Sequence, residues 1–271
     1  MKLLVIGDFQ GVFPAKLKRK LKKEAFDAVI ALGDYAGIEA WNPYLLYALR
    51  CFKDGDFPPS AKEFFGKKKY KQLRKKDQEG AARVFRELNA LGKPVFFIFG
   101  NHDNDWHKHP YSRRTPLKKN TTFLKKCKNL LSINYRTRVY NGIRLLGFGG
   151  HMDVDTNTGR EARTRKARAR KKLFSLFTPN RETIFVVHYP PKGVFDVIKN
   201  KKNPFNRTSV GVRAFTAAIK RFKPNVVLCG HMHEYQGKKK LHGVPVINPG
   251  SADEGKYAIL EYPSLRVRFE H

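Results

Sequence analysis

Acidic residues are scarce in this chain. Its 271 residues carry 23 Asp and Glu against 55 Lys and Arg, a formal charge of +32 with His neutral. A surface laced with ion pairs would raise glutamate together with lysine, so such a network is excluded as the source of the charge. A polyanionic partner is the simplest reason for one-sided charge, because phosphate backbones are bound by counterion release. Cysteine is also sparse. Cys51, Cys127 and Cys229 stand alone, which excludes both a disulfide framework and a CxxC metal knuckle. Long apolar runs are missing, so no membrane span is expected, and the stretch at Met1–Asp8 is too short for a signal peptide. A cytoplasmic, soluble protein is expected. Neither an internal repeat nor a flexible linker divides the chain. No Gly-rich phosphate loop or Ser-His-Asp order stands out. With 41% hydrophobic and 13% aromatic residues, disorder is excluded as well.

What is present is a series of short apolar runs: Leu3–Ile6, Ala28–Leu32, Val95–Phe99, Ile184–Val187 and Val226–Cys229. None alternates with polar residues, which is how strands read when both sheet faces are covered. Helical patterns lie between them at Ala15–Ala25, Lys62–Leu91 and Thr208–Phe222. Asn141-Gly142 predicts a tight hairpin joining Thr137–Tyr140 to Ile143–Phe148. Val244–Asn248, Tyr257–Tyr262 and Arg266–Phe269 read as a small antiparallel set. The expected architecture is one α/β domain, two sheets packed face to face with helices outside, with basic insertions near 52–80, 104–130 and 155–180.

Each of the five runs leads at once into residues able to hold a metal or move a proton. These are Gly7-Asp8-Phe9-Gln10, Gly33-Asp34-Tyr35, Gly100-Asn101-His102-Asp103, His188, and Gly230-His231-Met232-His233. Ligands of open α/β sheets bind outside the carboxyl ends of strands, where such loops converge. A mixed oxygen and imidazole set suits a pair of divalent transition metals.

In this order the motifs GDxQ, GDY, GNHD, a lone His and GHMH resemble those of the calcineurin-like metallophosphoesterases, and Asn248-Pro249-Gly250-Ser251 resembles a turn common in that family. The resemblance spans most of the chain. It implies a four-layer α/β/β/α sandwich of two mixed sheets. It also implies two divalent ions, Mn²⁺ favoured, with Mg²⁺, Fe²⁺ and Zn²⁺ as the alternatives. Asp34 would bridge them, Asp8 and His233 would hold the first, and Asn101, His188 and His231 the second. His102 would act as proton donor or phosphate ligand, oriented by Asp103. Gln10 departs from the pattern, which more often has His; its carboxamide oxygen would ligate more weakly and tilt the first site away from Zn²⁺.

The motifs imply phosphoester hydrolysis, and the charge points to nucleic acid as substrate. Aromatics interleaved with the basic residues (Phe64, Phe65, Tyr70, Trp106, Tyr111, Phe123) suit stacking of unpaired bases, so RNA or single-stranded DNA is preferred. Lys67, Lys68, Lys69, Arg113, Arg114, Arg165, Arg168 and Arg170 are the expected contacts, forming a rim around the metals. His107 and His109 are read either as cleft lining or as an exposed loop. The alternative functions are a phosphomonoesterase on nucleotides or phosphoproteins, and a nucleic-acid-binding scaffold with weakened catalysis.

Overall fold

The computed structural model describes residues 1–108, 115–153, 159–178 and 181–271. In chain order the first half holds β1 (Lys2–Ile6), α1 (Ala15–Leu21), β2 (Ala28–Ala31), α2 (Asn42–Asp54), α3 (Ala61–Phe65), α4 (Lys67–Asn89), β3 (Val95–Phe97), α5 (Lys118–Lys126) and β4 (Leu130–Ser132). There follow β5 (Arg136–Tyr140), β6 (Ile143–Phe148), α6 (Arg160–Leu176), β7 (Thr183–Val187), α7 (Arg213–Phe222) and β8 (Val226–Leu228). The chain closes with β9 (Gly237–Leu241), β10 (Val244–Asn248), β11 (Tyr257–Glu261) and β12 (Arg266–Glu270).

Two six-stranded mixed sheets result, ordered β12-β11-β1-β2-β3-β4 and β5-β6-β7-β8-β10-β9. In each, four strands run parallel; antiparallel β11 and β12 finish one edge of the first sheet, and antiparallel β5 and β9 finish both edges of the second. Side-chain alternation builds the layers. Leu3 and Val5 of β1 join Ile184, Val186, Val226 and Leu228 between the sheets, whereas Leu4 and Ile6 meet Leu17, Val84, Phe85 and Leu88 of α1 and α4. Phe185 and Val187 turn the other way, onto Leu173 of α6 and Phe215 and Ile219 of α7. This is the four-layer sandwich. A one-residue slip of any central strand would swap its two buried faces, and at about 1.5–3 kcal/mol per large apolar side chain the register is strongly held.

Three expectations need correction. The pattern over Lys62–Leu91 is two helices, because Gly66 sits at φ +73°, where a helix cannot continue. The helix expected from Thr208 starts only at Arg213. The three tail segments are not one set: β10 lies parallel to β8 in the second sheet, while β11 and β12 extend the first. The hairpin at Asn141-Gly142 is present, with φ of +48° and +79° at the turn.

The 35–94 segment between β2 and β3 forms a cap. Trp41, Tyr44, Phe64, Phe65 and Tyr70 pack ring against ring and tie α2, α3 and the first turns of α4 together. Asp77 of α4 then accepts hydrogen bonds from the Gly37 and Ile38 N–H groups, at 2.7 and 3.2 Å, fastening α4 to the loop after β2.

Candidate metal centre

Five strand ends converge at one edge of the two sheets. Asp8, Asp34 and His231 each adopt positive φ, +58°, +52° and +70°, so the backbone turns sharply as it leaves β1, β2 and β8. Such conformations are costly for non-glycine residues and cluster at functional sites. Glycines make the convergence feasible. A Cβ on Gly100 would lie 2.1 Å from Asp34 Oδ1, and one on Gly230 would lie 2.6 Å from Asp8 Oδ2.

The carboxylates are aimed by backbone donors. The His231 N–H reaches both Asp8 oxygens, at 3.1 and 3.0 Å, and the His102 N–H donates to Asp34 Oδ1 at 2.9 Å. Ser251 Oγ donates to the Asp8 carbonyl at 2.9 Å, so the Asn248–Ser251 turn braces the first loop from below. Two groups of potential ligands follow, Asp34 with His188 and His231, and Asp8 with Asp34 and His233; within each group the ligand atoms lie within 4.8 Å of one another. Asp34 belongs to both. Asn101 Oδ1 lies 2.9 Å from His188 Nε2, beside the first group.

Electrostatics mark the same pocket as a cation site. Burial opposes ionisation of Asp34, yet His188 and His102 hold its carboxyl well below the usual range. Burial alone would depress His188 and His233, but Asp34 and Asp8 respectively carry each imidazole up to about 9. His231 moves the other way, held well below its ordinary value by burial and by the neighbouring His188 charge. A cluster of buried carboxylates that draws protons onto adjacent imidazoles would draw divalent cations in their place. The His188 Nδ1 atom sits 2.9 Å from the Leu32 carbonyl, a contact that turns Nε2 toward Asp34. Oxygen and imidazole donors sharing one buried carboxylate therefore fit a dinuclear centre.

Residues 1–271 match the family model of the metallophosphoesterases of the calcineurin superfamily. The chain is a member of that family. Its superfamily uses a dinuclear metal centre in phosphoester hydrolysis. One solved structure, 21% identical, superposes with a TM-score of 0.67 and covers 100% of this chain and 98% of its own. The TT1561 protein of Thermus thermophilus follows at 17% identity, TM-score 0.59, with 100% and 98% covered. A dimetal phosphatase from Danio rerio has 12% identity, TM-score 0.53, with 100% and 95% covered. At these identities the likeness speaks for fold. No curated protein matches the chain.

In this metallophosphoesterase Asp103 differs from its expected role. No hydrogen bond joins it to His102. Its buried carboxylate instead accepts from four backbone N–H groups: Tyr35 and Ala36 on Oδ1, Asp34 and Gly100 on Oδ2, at 2.7–3.0 Å. Burial and the adjacent Asp34 charge push this carboxyl up to about 7 against the pull of those donors. Asp103 thus locks the second and third loops to each other. His102 stands over Asp34, Nε2 to Oδ2 3.8 Å, with a side chain 27% exposed at the pocket mouth. Gln10 Nε2 is 3.5 Å from Asp34 Oδ2, and its Oε1 lies against Gly37. His107 lines no cleft: it is buried and stacks on Phe99, centroids 4.4 Å apart.

The expected basic rim is not one surface. Lys67, Lys68 and Lys69 occupy the first turn of α4, and Lys69 is about 12 Å along the helix from Asp77 at 1.5 Å per residue. Arg165 is engaged by Asp153 through two hydrogen bonds, 2.7 and 3.0 Å, and its exposed neighbour Arg168 sits one turn on. Arg170 stacks on Phe174 beside Arg221, near the end of α7 that feeds the start of β8, which is the sheet end remote from Asp34. Arg113, Arg114 and His109 fall outside the described residues.

Two residues close to the candidate site escaped the sequence reading. His151 follows β6 through Gly149-Gly150, edge-on to Tyr189, whose ring in turn packs 3.9 Å from that of His231. The signal was available, since an apolar run followed by glycine and a histidine is the grammar of the other five loops. Asp77 had none, because a lone acid in a lysine-rich helix does not reveal which loop it fastens.

Proposed function

We propose that this metallophosphoesterase is a phosphodiesterase acting on RNA or single-stranded DNA, and that residues 1–271 form one such domain. The reaction rests on one observation, the Asp34 carboxylate shared by two ligand groups. The substrate class rests on the excess of 55 basic over 23 acidic residues.

In this reading Asp34 would serve both cations, Asp8, His233 and Gln10 would hold the first, and Asn101, His188 and His231 would hold the second. Bound divalent cations supply the acidification of water and the charge compensation that in-line displacement at phosphorus requires. The protein does the rest. The His231 and His102 N–H groups, donating to the Asp8 and Asp34 carboxylates, fix those carboxylates before substrate arrives. His188 is oriented through Leu32, and Tyr189 walls off the His231 ring. His102, at the mouth, protonates the departing alkoxide. After a half-turn of its amide, Gln10 would offer the first site an oxygen, a harder donor than imidazole, which would favour Mn²⁺ or Mg²⁺ over Zn²⁺.

The test is incubation of Mn²⁺-reconstituted protein with labelled single-stranded and duplex RNA and DNA, with Asp34→Asn alongside, and a comparison of p-nitrophenyl phosphate with its bis-ester. Cleavage of single strands and of the bis-ester, lost in Asp34→Asn and steeply weakened by salt, is expected. Turnover confined to the monoester would replace the reading with a phosphomonoesterase. Nucleic-acid binding with no turnover would leave a scaffold.

A further inference from the structure

A cleft of about 510 Å³ separates the C-terminal end of α2 from the loop between β7 and α7. Arg50, Lys53 and Asp54 line one wall, Lys201, Lys202 and Asn203 the other. Four cations thus meet a single acid. Among the described residues none of the four forms an ion pair, whereas Lys18, Arg74, Arg165 and Arg268 each have a carboxylate within 2.7 Å. A cleft that concentrates uncompensated like charge is destabilising unless an anion enters it.

Both walls are anchored at the metal end of the sandwich. The 197–209 segment folds back on itself through Ile198 and Thr208, whose backbone hydrogen bond is 3.0 Å, and through the bridge from Val197 to Ser209. It is then fastened to the two residues that follow His233. The Lys199 N–H donates to Glu234 Oε1 at 2.8 Å, Tyr235 Oη donates to the Val197 carbonyl at 2.8 Å, and the Lys199 ammonium lies 4.5 Å over the Tyr235 ring. On the other side, α2 leaves the Gly37–Ile38 turn that abuts Gln10 and His102. α2 also presents Tyr47 and Phe52 to solvent, 40% and 53% exposed, a stacking surface beside the charge.

We propose that this cleft binds backbone phosphates of a single-stranded nucleic acid flanking the phosphodiester held at the metal centre. The inference rests on the phosphodiesterase reading above and adds to it a second binding site formed by Arg50, Lys53, Lys201 and Lys202. None of these four was expected from the sequence, because they are far apart in the chain and only the fold brings the two pairs together.

The experiment uses the full chain in EDTA, so that nothing is cleaved, and a fluorescein-labelled RNA of about 12 nucleotides, within the range that single-strand sites occupy. Anisotropy is read between about 50 and 200 mM NaCl. The variant replaces Arg50, Lys53, Lys201 and Lys202 by alanine. A charge-matched control replaces Lys22, Lys23, Lys93 and Lys220, exposed residues shortly before the starts of β2, β3 and β8, at the other end of the sheets. Loss of two to four phosphate contacts lowers the salt slope by roughly 1.4–2.8, at about 0.7 per phosphate, and weakens binding by about tenfold or more. The control should change affinity by less than about threefold, and in a separate assay with Mn²⁺ in place of EDTA, bis-p-nitrophenyl phosphate, a small diester with no flanking phosphates, should be hydrolysed by the variant at the rate of the unaltered protein. Equal affinity and slope in variant and control would overturn the cleft while leaving the phosphodiesterase reading standing. Unaltered protein that hydrolyses the small diester but binds no RNA would overturn both.

Discussion

Gly100→Ala isolates the geometry of the site from its chemistry. Gly100 does not need positive φ, so alanine fits its backbone, and the only change is a methyl group. That methyl would lie 2.1 Å from Asp34 Oδ1 and 2.5 Å from the Asp34 backbone nitrogen. Ordinary contact begins near 3.4 Å, so the carboxylate must retreat by 3.4 − 2.1 = 1.3 Å. It has little room, because its loop is held by Asp103 through the Asp34 and Gly100 N–H groups. Overpacking of this kind costs about 1–3 kcal/mol, a fall of roughly 2–12 °C in Tm at about 2–4 °C per kcal/mol for a chain of this size. Displacement of a positioned group by about 1 Å costs on the order of a hundredfold in rate. The assay is thermal unfolding in EDTA, to keep bound metal from masking the loss, followed by Mn²⁺ titration calorimetry and turnover of bis-p-nitrophenyl phosphate. Gly159→Ala, where a Cβ meets none of the described residues within 4 Å, serves as the neutral control. If Gly100→Ala kept unaltered metal affinity and turnover, the placement of Asp34 at the centre of the site would be wrong.

Other outcomes follow from the same geometry. Because His188 and His233 hold protons up to about pH 9 in the metal-free protein, metal must displace them; affinity should rise with pH from 6 toward about 9, with calorimetry in buffers of different ionisation enthalpy showing proton release. A pH-independent affinity over that window would contradict the assignment. Gln10→His should tighten the first site and shift its preference toward Zn²⁺, seen in metal content after dialysis; unchanged content and preference would count against Gln10 as a ligand. Asp77→Ala removes the acceptor of the Gly37 and Ile38 N–H groups. A loss of about 1–3 kcal/mol in denaturant unfolding is expected, together with reduced turnover as the turn beside His102 loosens, and unaffected turnover would refute that link.

The strand cores and five of the site loops were legible because each is local: an apolar run, a glycine, a ligand. The sandwich followed from strands without alternation, and Leu3/Val5 against Leu4/Ile6 show why, since both parities are buried. What stayed hidden depended on pairing across the chain. β9, Gly-Lys-Lys-Lys-Leu, reads as a charged loop, and only its edge position beside β10 makes it a strand. β4 is three residues long and is defined by β3 alone. The part played by Asp103 was misread because sequence adjacency to His102 suggested a side-chain partner, whereas the carboxylate is buried among backbone donors from a loop 67–69 residues earlier.

The potential ligands divide by origin. Asp8, Gln10, Asp34 and Asn101 follow strands of the first sheet, and His188, His231 and His233 follow strands of the second. Acids and amides stand on one side of the seam, imidazoles on the other, and each ligand group draws from both. Cations seated there would act as rivets between the two halves, so chelation should soften the sandwich at that end first. Amide hydrogen exchange at the ends of β2 and β7 would register the unclasping before any global melting.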